Sequence, residues 1–214
     1  MSERRLVLWR HGQTEWNLEH RFQGQTDVPL DELGVRQAAG AARLLADLSP
    51  QVIVSSDLSR AYDTASALAA RCGLEVATDP RLRETDGGAW EGMRRVDLLQ
   101  TDPDSYRAWL QGEFIRPGGT GEDRHVVGER IMAAIADVLA KTDPGRTAVV
   151  VSHGGACRAV MAPLLNRPFE QVRFLSVMRN AAWSVFLETG ASDTPWTVLE
   201  YNARSLPEPP ESDD

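Results

Sequence analysis

The stretches Leu6-Val7-Leu8-Trp9-Arg10-His11-Gly12 and Ala148-Val149-Val150-Val151-Ser152-His153-Gly154-Gly155 each join a short apolar run to a His-Gly dipeptide. An apolar run of this length is typical of a buried strand in a parallel sheet. Because the carboxyl ends of parallel strands meet in one crevice, His11 and His153 can lie together despite their distance along the chain. Two imidazoles and Arg10 in such a crevice indicate chemistry on a phosphate.

The rest of the chain alternates strand and helix patterns. Apolar residues recur at helical spacing over 31–47, 59–71, 124–141 and from Gly155 to about 163–166. Buried-strand runs occur at 51–55 and 147–152, and a short strand is expected at 74–77. Two β-rich runs at 182–188 and 196–201 could pair in antiparallel fashion at one edge. The pattern predicts an α/β fold, a three-layer α/β/α sandwich with a mostly parallel central sheet and an antiparallel edge strand.

The length of 214 residues suits one domain with a substantial core. We predict a single domain over 1–204, with a lid-like excursion at about 94–121 where the helical patterns weaken. The acidic, proline-rich segment 205–214 is predicted to be a disordered tail.

Composition narrows the partners and the compartment. A net charge of -8 argues against nonspecific nucleic-acid binding, which needs a broad basic surface. No apolar run approaches the ~20 residues that span a bilayer, and the first run is interrupted at Arg10, too soon for a signal peptide. We therefore expect a cytoplasmic protein with a small-molecule partner and neither nucleic acid nor membrane. The sequence leaves a homodimer open.

Four blocks of the chain follow one another in a specific order. They are Arg10-His11-Gly12-Gln13-Thr14-Glu15-Trp16-Asn17, the run 55–65 around Arg60, Leu82-Arg83-Glu84 with Trp90-Glu91-Gly92, and Ser152-His153-Gly154-Gly155. Together they resemble the histidine phosphatase superfamily, in its phosphoglycerate-mutase-like branch. The resemblance spans about residues 5 to 160 and implies phosphoryl transfer through a phosphohistidine.

The residues themselves offer each part that phosphoryl transfer needs. His11 can attack phosphorus and divide a difficult hydrolysis into two steps. Arg10 and Arg60 carry planar guanidinium forks for the equatorial oxygens, which a lysine could not reproduce. His153 would be favoured in its protonated form by the nearby anion and become a third cationic donor, the role it has by resemblance.

Glu84 is the candidate general acid and, after phosphoryl transfer, the base toward water. It must carry a proton when the ester binds, which burial and the arriving phosphate would favour. By resemblance the role belongs to Glu84 and not to Glu91, and Asp86 is a possible substitute. Further phosphate-binding residues are expected among polar and glycine positions near the two His-Gly dipeptides, namely Asn17, Gln23, Gly24 and Gly154.

No cofactor and no metal are expected. The histidines lack HExxH-like spacing, Cys72 and Cys157 form no zinc-ligand pattern, and the arginines can do a cation's work. The single lysine, Lys141, excludes the phosphate-loop lysine motif. The cysteines are expected to be free thiols, and His20 and His125 to be surface residues.

Three functions remain open. The mutases of the resembling branch carry an extra segment of some two dozen residues and a Trp-Arg-Arg-Gly basic pair, whereas this chain has Trp109-Leu110-Gln111-Gly112 and then passes to the run 117–123. Both absences favour a phosphatase, and several blocks are similar to those of actinobacterial glucosyl-3-phosphoglycerate phosphatases and broad-specificity phosphatases. Many relatives have Pro-Gly-Gly-Glu-Ser where this chain has 117–123, which leaves the substrate open. The alternatives are a cofactor-dependent phosphoglycerate mutase and a non-catalytic regulator that binds a phosphorylated ligand.

Overall fold

The computed structural model describes residues 3–205, so most of the predicted tail lies outside the described residues. Six strands form one sheet in the order β3-β2-β4-β1-β5-β6. Their bounds are β1 Arg5–Arg10, β2 Pro50–Ser55, β3 Val76–Thr78, β4 Thr147–Ser152, β5 Trp183–Glu188 and β6 Trp196–Ala203.

The strand directions agree with the predicted sheet. Strands β3, β2, β4 and β1 pair in parallel. Strand β5 pairs antiparallel with β1, and β6 pairs antiparallel with β5. The α/β class, the mostly parallel sheet and the antiparallel pair at one edge are therefore confirmed, with β5 as the strand that runs against the other five of the sheet.

The helices of the described chain are α1 Glu15–Leu18, α2 Glu32–Leu45, α3 Ser59–Cys72, α4 Arg95–Thr101, α5 Pro103–Gln111, α6 Arg124–Ala140, α7 Gly154–Leu164 and α8 Phe169–Val172. The long ones end within a few residues of their predicted bounds. Asp31 and Asp123 cap the amino termini of α2 and α6, and Gly73 closes α3 at a φ of 64°. The four-residue helices α1 and α8 are too short for a periodic signal and were not predicted.

The alternation of side chains along β1 builds two separate cores. Leu6 and Leu8 face one side of the sheet and pack with α6 and α7 residues such as Ile131. Val7 and Trp9 face the other side and pack with α2 and α3. Because successive strand residues point to opposite faces, this arrangement gives the predicted helix-sheet-helix sandwich.

The excursion 94–121 has its own small core. Trp90, Leu98 and Tyr106 are buried together, with Phe22 and Trp109 packed against them. The ring of Trp90 meets those of Phe22 and Tyr106 edge-on, at centroid distances of 5.7 and 5.6 Å. This packing places α5 along one wall of the crevice at the carboxyl ends of the strands. The lid-like role of this segment stays a prediction.

Two further expectations concern the cysteines and the membrane. Cys72 and Cys157 are free thiols, as predicted, and Cys157 is fully buried. Within residues 3–205, no helix has the length and apolar character needed to cross a bilayer.

Candidate active site

Strand register brings the two His-Gly dipeptides together. Arg10 on β1 pairs with Ser152 on β4, so the next residue of each strand, His11 and His153, leaves the sheet at the same edge. The backbone N–H of His11 donates to the Ser152 carbonyl at 3.0 Å. The centroids of the imidazole rings lie 5.1 Å apart, close enough for one tetrahedral anion to reach both.

The tautomer of His11 follows from its hydrogen bond. Nδ1 lies 2.6 Å from the Gly12 carbonyl oxygen, which can only accept, so Nδ1 carries the proton. Nε2 therefore holds a lone pair. Burial, together with the charges of Arg60 and Arg10, keeps the pKa of His11 well below its usual range. At neutral pH the ring is uncharged, the form that a nucleophile requires.

Gly12 fixes the backbone beside this ring. A Cβ at Gly12 would lie 2.4 Å from the carbonyl oxygen of Gly34, the third residue of α2. Only glycine allows this close approach of two backbones. The Gly12 N–H also donates to the Thr64 hydroxyl at 3.0 Å, which ties the His11 loop to α3.

Arg60 is fully buried beneath the cleft. Its two terminal nitrogens donate to the carbonyl oxygens of Thr26 and Gly24, each at 2.8 Å, and Nε donates to Nδ1 of His153 at 3.2 Å. Burial lowers the pKa of Arg60 to about 10, so the guanidinium stays charged at neutral pH. One N–H remains on each terminal nitrogen for an anion.

His153 lies behind this guanidinium and is itself fully buried. Its Nδ1 accepts from Arg60, which leaves the proton on Nε2, 2.9 Å from the Ser56 hydroxyl oxygen. Burial, then the charges of Arg60 and the other nearby cations, lower its pKa well below the usual range. His153 is therefore neutral, and its predicted role as a cationic donor requires an anion to displace the Arg60 bond.

Polar side chains of the loop after β1 are held with donors toward the cleft. The Asn17 Oδ1 accepts from the backbone N–H of Thr14 at 3.2 Å and from the Asn180 side-chain amide at 3.0 Å. The Gln23 Oε1 accepts from the Thr14 hydroxyl at 3.1 Å. With their carbonyl oxygens occupied, both amides keep N–H donors, and both residues line the cleft. Their binding of phosphate stays a prediction.

Glu84 caps the amino terminus of α7. Its carboxylate accepts backbone N–H groups from Gly155 at 2.9 Å and from Ala156 and Thr85, each at 2.8 Å. A Cβ at Gly155 would lie 2.7 Å from the Glu84 Oε1, so glycine at that position leaves room for the carboxylate. These three N–H groups fix the position of the carboxylate, and the predicted role as general acid requires that the group carry a proton when the ester binds.

The neighbouring carboxylates have other partners. Glu91 accepts from the backbone N–H groups of Gln25, Thr26 and Gly87, and so shapes the loop whose carbonyls hold Arg60. Asp86 accepts from the Gly88 N–H and closes a turn. Neither carboxylate is among the residues that line the cleft.

The cleft is strongly positive although the protein is acidic. It has a volume of about 250 Å³ and is lined by five arginines, Arg10, Arg21, Arg60, Arg124 and Arg158. Against them, within residues 3–205, Glu84 is the single lining carboxylate. The same part of the chain contains no cluster of three or more histidine, cysteine or carboxylate side chains that could hold a metal ion.

Comparison with known proteins identifies the family of this chain. The model of the histidine phosphatase superfamily, branch 1, matches residues 6–204. The chain belongs to this superfamily. Within it, glucosyl-3-phosphoglycerate phosphatase of Mycobacterium tuberculosis is 42% identical over 191 residues, covering 86% of this chain and 85% of the relative.

Two further similar proteins have different activities in their names, one a mutase and the other a phosphatase. The probable phosphoglycerate mutase GpmB of an Enterobacter species is 36% identical over 192 residues, covering 89% of this chain and 86% of the relative. The solved structure of a mycobacterial glucosyl-3-phosphoglycerate phosphatase in complex with VO3 has a TM-score of 0.86 at 41% identity, with 94% and 99% of the two chains covered.

Several residues of this histidine phosphatase site were missed by sequence reasoning. Asn180, in the loop before β5, donates to the carbonyls of His11 and Gly12 as well as to Asn17, and no motif marks it. Arg130 on α6 donates to the Glu84 carbonyl at 2.8 Å and pairs with Glu122 at 2.7 Å, which fixes the Glu84 loop. The cleft-lining Arg158 could have been found, because it follows Gly154 by one helical turn.

The two neutral, buried histidines predict a pH-dependent stability. Below about pH 6.5, the rings of His11 and His153 bind protons in the unfolded chain but not in the folded histidine phosphatase. The free energy of unfolding should therefore fall as the pH falls from 6.5 to 5, by up to about 1.4 kcal/mol per pH unit for each ring.

Urea unfolding of the ligand-free protein measures this slope. In His11→Gln the slope should be about half that of the wild type, whereas His125→Gln, which removes an exposed ring, should leave it unchanged. An equal slope in wild type and His11→Gln would show that the buried His11 ring is not the linked group.

Proposed function

We propose that this chain is a metal-independent phosphomonoester hydrolase that acts on a small phosphorylated metabolite, a sugar phosphate or a phosphoglycerate derivative. The observation that carries the proposal is the neutral His11 ring with its Nε2 lone pair, placed beside Arg10 and Arg60 in the positive cleft. Its relationship to glucosyl-3-phosphoglycerate phosphatase at 42% identity supports the same activity class.

In the first step, the Nε2 lone pair of His11 attacks phosphorus as the ester P–O bond breaks. Arg10 and Arg60 would stabilise the charge on the equatorial oxygens, an interaction worth ~10³ to 10⁵ in rate when an arginine is aimed at the transition state. Glu84, protonated on substrate binding, gives its proton to the departing alkoxide. The products are a phosphohistidine and an alcohol.

In the second step, water attacks the phosphohistidine. Glu84, now ionised, takes the proton of the water molecule as the new P–O bond forms and the N–P bond breaks. Inorganic phosphate leaves, and His11 returns to its neutral form. Asn17, Gln23 and the backbone at Gly24 and Gly154 would bind the remaining phosphate oxygens, and His153 would add a charged donor once protonated.

The test is hydrolysis of p-nitrophenyl phosphate by the purified chain in the presence of a chelator. The proposal predicts release of inorganic phosphate at an undiminished rate after metal removal. Activity that disappears with the chelator and returns with an added divalent cation would contradict the metal-independent mechanism.

A second candidate function for this chain is that of a phosphoglycerate mutase, because one of its relatives has the name of a probable phosphoglycerate mutase. A mutase would interconvert 3-phosphoglycerate and 2-phosphoglycerate when primed with a bisphosphorylated glycerate. The phosphatase proposal predicts release of phosphate and no such conversion. If the protein binds phosphate but neither hydrolyses a phosphate ester nor forms phosphohistidine, the result favours the non-catalytic regulator instead. The cytoplasmic location and the homodimer stay predictions.

The close contact at Gly155 gives a prediction about Glu84. Gly155→Ala should lower kcat about tenfold or more, because the Cβ of the alanine would displace the Glu84 carboxylate. Proton transfer depends closely on the distance and orientation of this group. The matched control is Gly40→Ala in α2, where the added methyl group meets only the Ser205 side chain and activity should not change. Steady-state kinetics of both variants decide, and equal kcat values would show that Glu84 is not held by this contact.

A further inference from the structure

The cleft continues past the phosphate-binding residues to a second pair of cations. Arg124 is the first residue of α6, and Arg158 lies on α7, four residues after Gly154 and on the same face. Both line the cleft, together with Trp109 of α5. The mechanism proposed above uses none of these three residues.

Arg124 is held rigidly. It is only 8% exposed, and its guanidinium carbon lies 3.8 Å from the centroid of the Trp109 ring. Its terminal nitrogens donate to the carbonyl oxygens of Trp109 at 2.6 Å and Glu113 at 3.4 Å. These bonds use two of its five N–H groups, and no carboxylate within residues 3–205 forms a salt bridge with it.

Arg158 supplies the second charge. Its Nε is buried and finds no hydrogen-bond acceptor among the described residues, where the side chain also forms no ion pair. Arg124 and Arg158 line the same cleft of about 250 Å³. The charge of Arg158 adds to burial in lowering the pKa of Arg124 to about 10. Two adjacent cations with an unsatisfied buried donor are stabilised when an anion binds between them.

The position of this pair relative to Glu84 sets what it could bind. The Glu84 carboxylate accepts from Gly155, three residues before Arg158, and its charge reaches Arg124. Glu84 is the group that would protonate the departing alkoxide. The pair therefore shares the cleft with the group that would protonate the leaving alcohol.

We propose that Arg158 and Arg124 form a second anion subsite, which binds a negatively charged group on the alcohol half of the substrate. The assignment rests on the proposed phosphatase function and narrows its substrates to monoesters with a second anionic group, a carboxylate or another phosphate. Arg124 is the fixed half of the subsite, and Arg158 supplies the unpaired donor.

Competition against p-nitrophenyl phosphate hydrolysis tests the subsite with two matched ligand pairs. In the first pair, 3-phosphoglycerate has a carboxylate where glycerol 3-phosphate has a hydroxymethyl group. In the second pair, fructose 1,6-bisphosphate carries one phosphate more than fructose 6-phosphate. In the wild type, 3-phosphoglycerate, fructose 1,6-bisphosphate or both should have an inhibition constant about tenfold below that of the other member of the pair, which lacks the second anionic group. The pair that shows the difference identifies the carboxylate or the phosphate.

Arg158→Gln should bring that ratio close to one, and Arg158→Lys should restore part of it. The control Arg36→Gln removes an exposed arginine of α2 and should keep the wild-type ratio. The subsite is refuted if neither pair is distinguished by the wild type, or if Arg158→Gln weakens both members of a pair equally. Should the wild type hydrolyse no aryl phosphate, the proposed function fails, and the same four affinities measured by calorimetry still decide on the subsite.

Discussion

His11→Ala should reduce phosphatase activity by at least about 10⁴-fold, the order of loss when a covalent nucleophile is removed. The reason is geometric: Nδ1 donates to the Gly12 carbonyl, so the Nε2 lone pair is the attacking group, and alanine provides none. Release of p-nitrophenol and of inorganic phosphate measures the loss.

The matched control for this variant is His125→Ala, which removes an exposed histidine of α6 and should retain full activity. Circular dichroism of both variants excludes unfolding as the cause. Activity of His11→Ala within tenfold of the wild type would overturn the assignment of the nucleophile.

The second large effect is expected from Glu84→Gln, and it should depend on the leaving group. For an alkyl phosphate, loss of the general acid should lower kcat by about 10² to 10⁴. For p-nitrophenyl phosphate, the phenolate departs without a proton, so the first step should stay fast. The second step lacks its base, and phosphohistidine should accumulate.

Pre-steady-state kinetics separate the two steps of this variant. A burst of p-nitrophenol close to one equivalent of protein, followed by slow turnover, is the expected result. Glutamine keeps the size of the side chain and, at Oε1, the acceptor for the N–H groups of Ala156 and Thr85, whereas the N–H of Gly155 loses its acceptor oxygen. An equal loss of kcat for alkyl and aryl esters, without a burst, would assign the proton transfers to another group.

The sheet and the central pair of the site were accessible from the sequence because they depend on local patterns. The fully buried run of β4 and the His-Gly dipeptides predict parallel strands, and the register Arg10 to Ser152 then brings His11 and His153 together. The histidine phosphatase resemblance adds Arg60 and Glu84, which lie on other elements of the same cleft.

Other features depend on tertiary contacts that leave no local signal. Asn180 contacts the His11 loop from a position 168 residues after Gly12, and the guanidinium carbon of Arg124 stacks 3.8 Å from the centroid of the Trp109 ring. The neutral state of His153 follows from its burial against Arg60, which no motif encodes. The sequence predicts which side chains bind phosphate. The protonation states of these side chains, and the contacts that hold them in place, follow only from the packed structure.

The most direct test is the identification of the phosphorylated residue. Glu84→Gln protein mixed with p-nitrophenyl phosphate, quenched in alkali and digested, should contain a single acid-labile phosphoryl group on Nε2 of His11, visible by mass spectrometry and ³¹P NMR. The absence of any phosphorylated residue during turnover, or a phosphoryl group on a different side chain, would contradict the account.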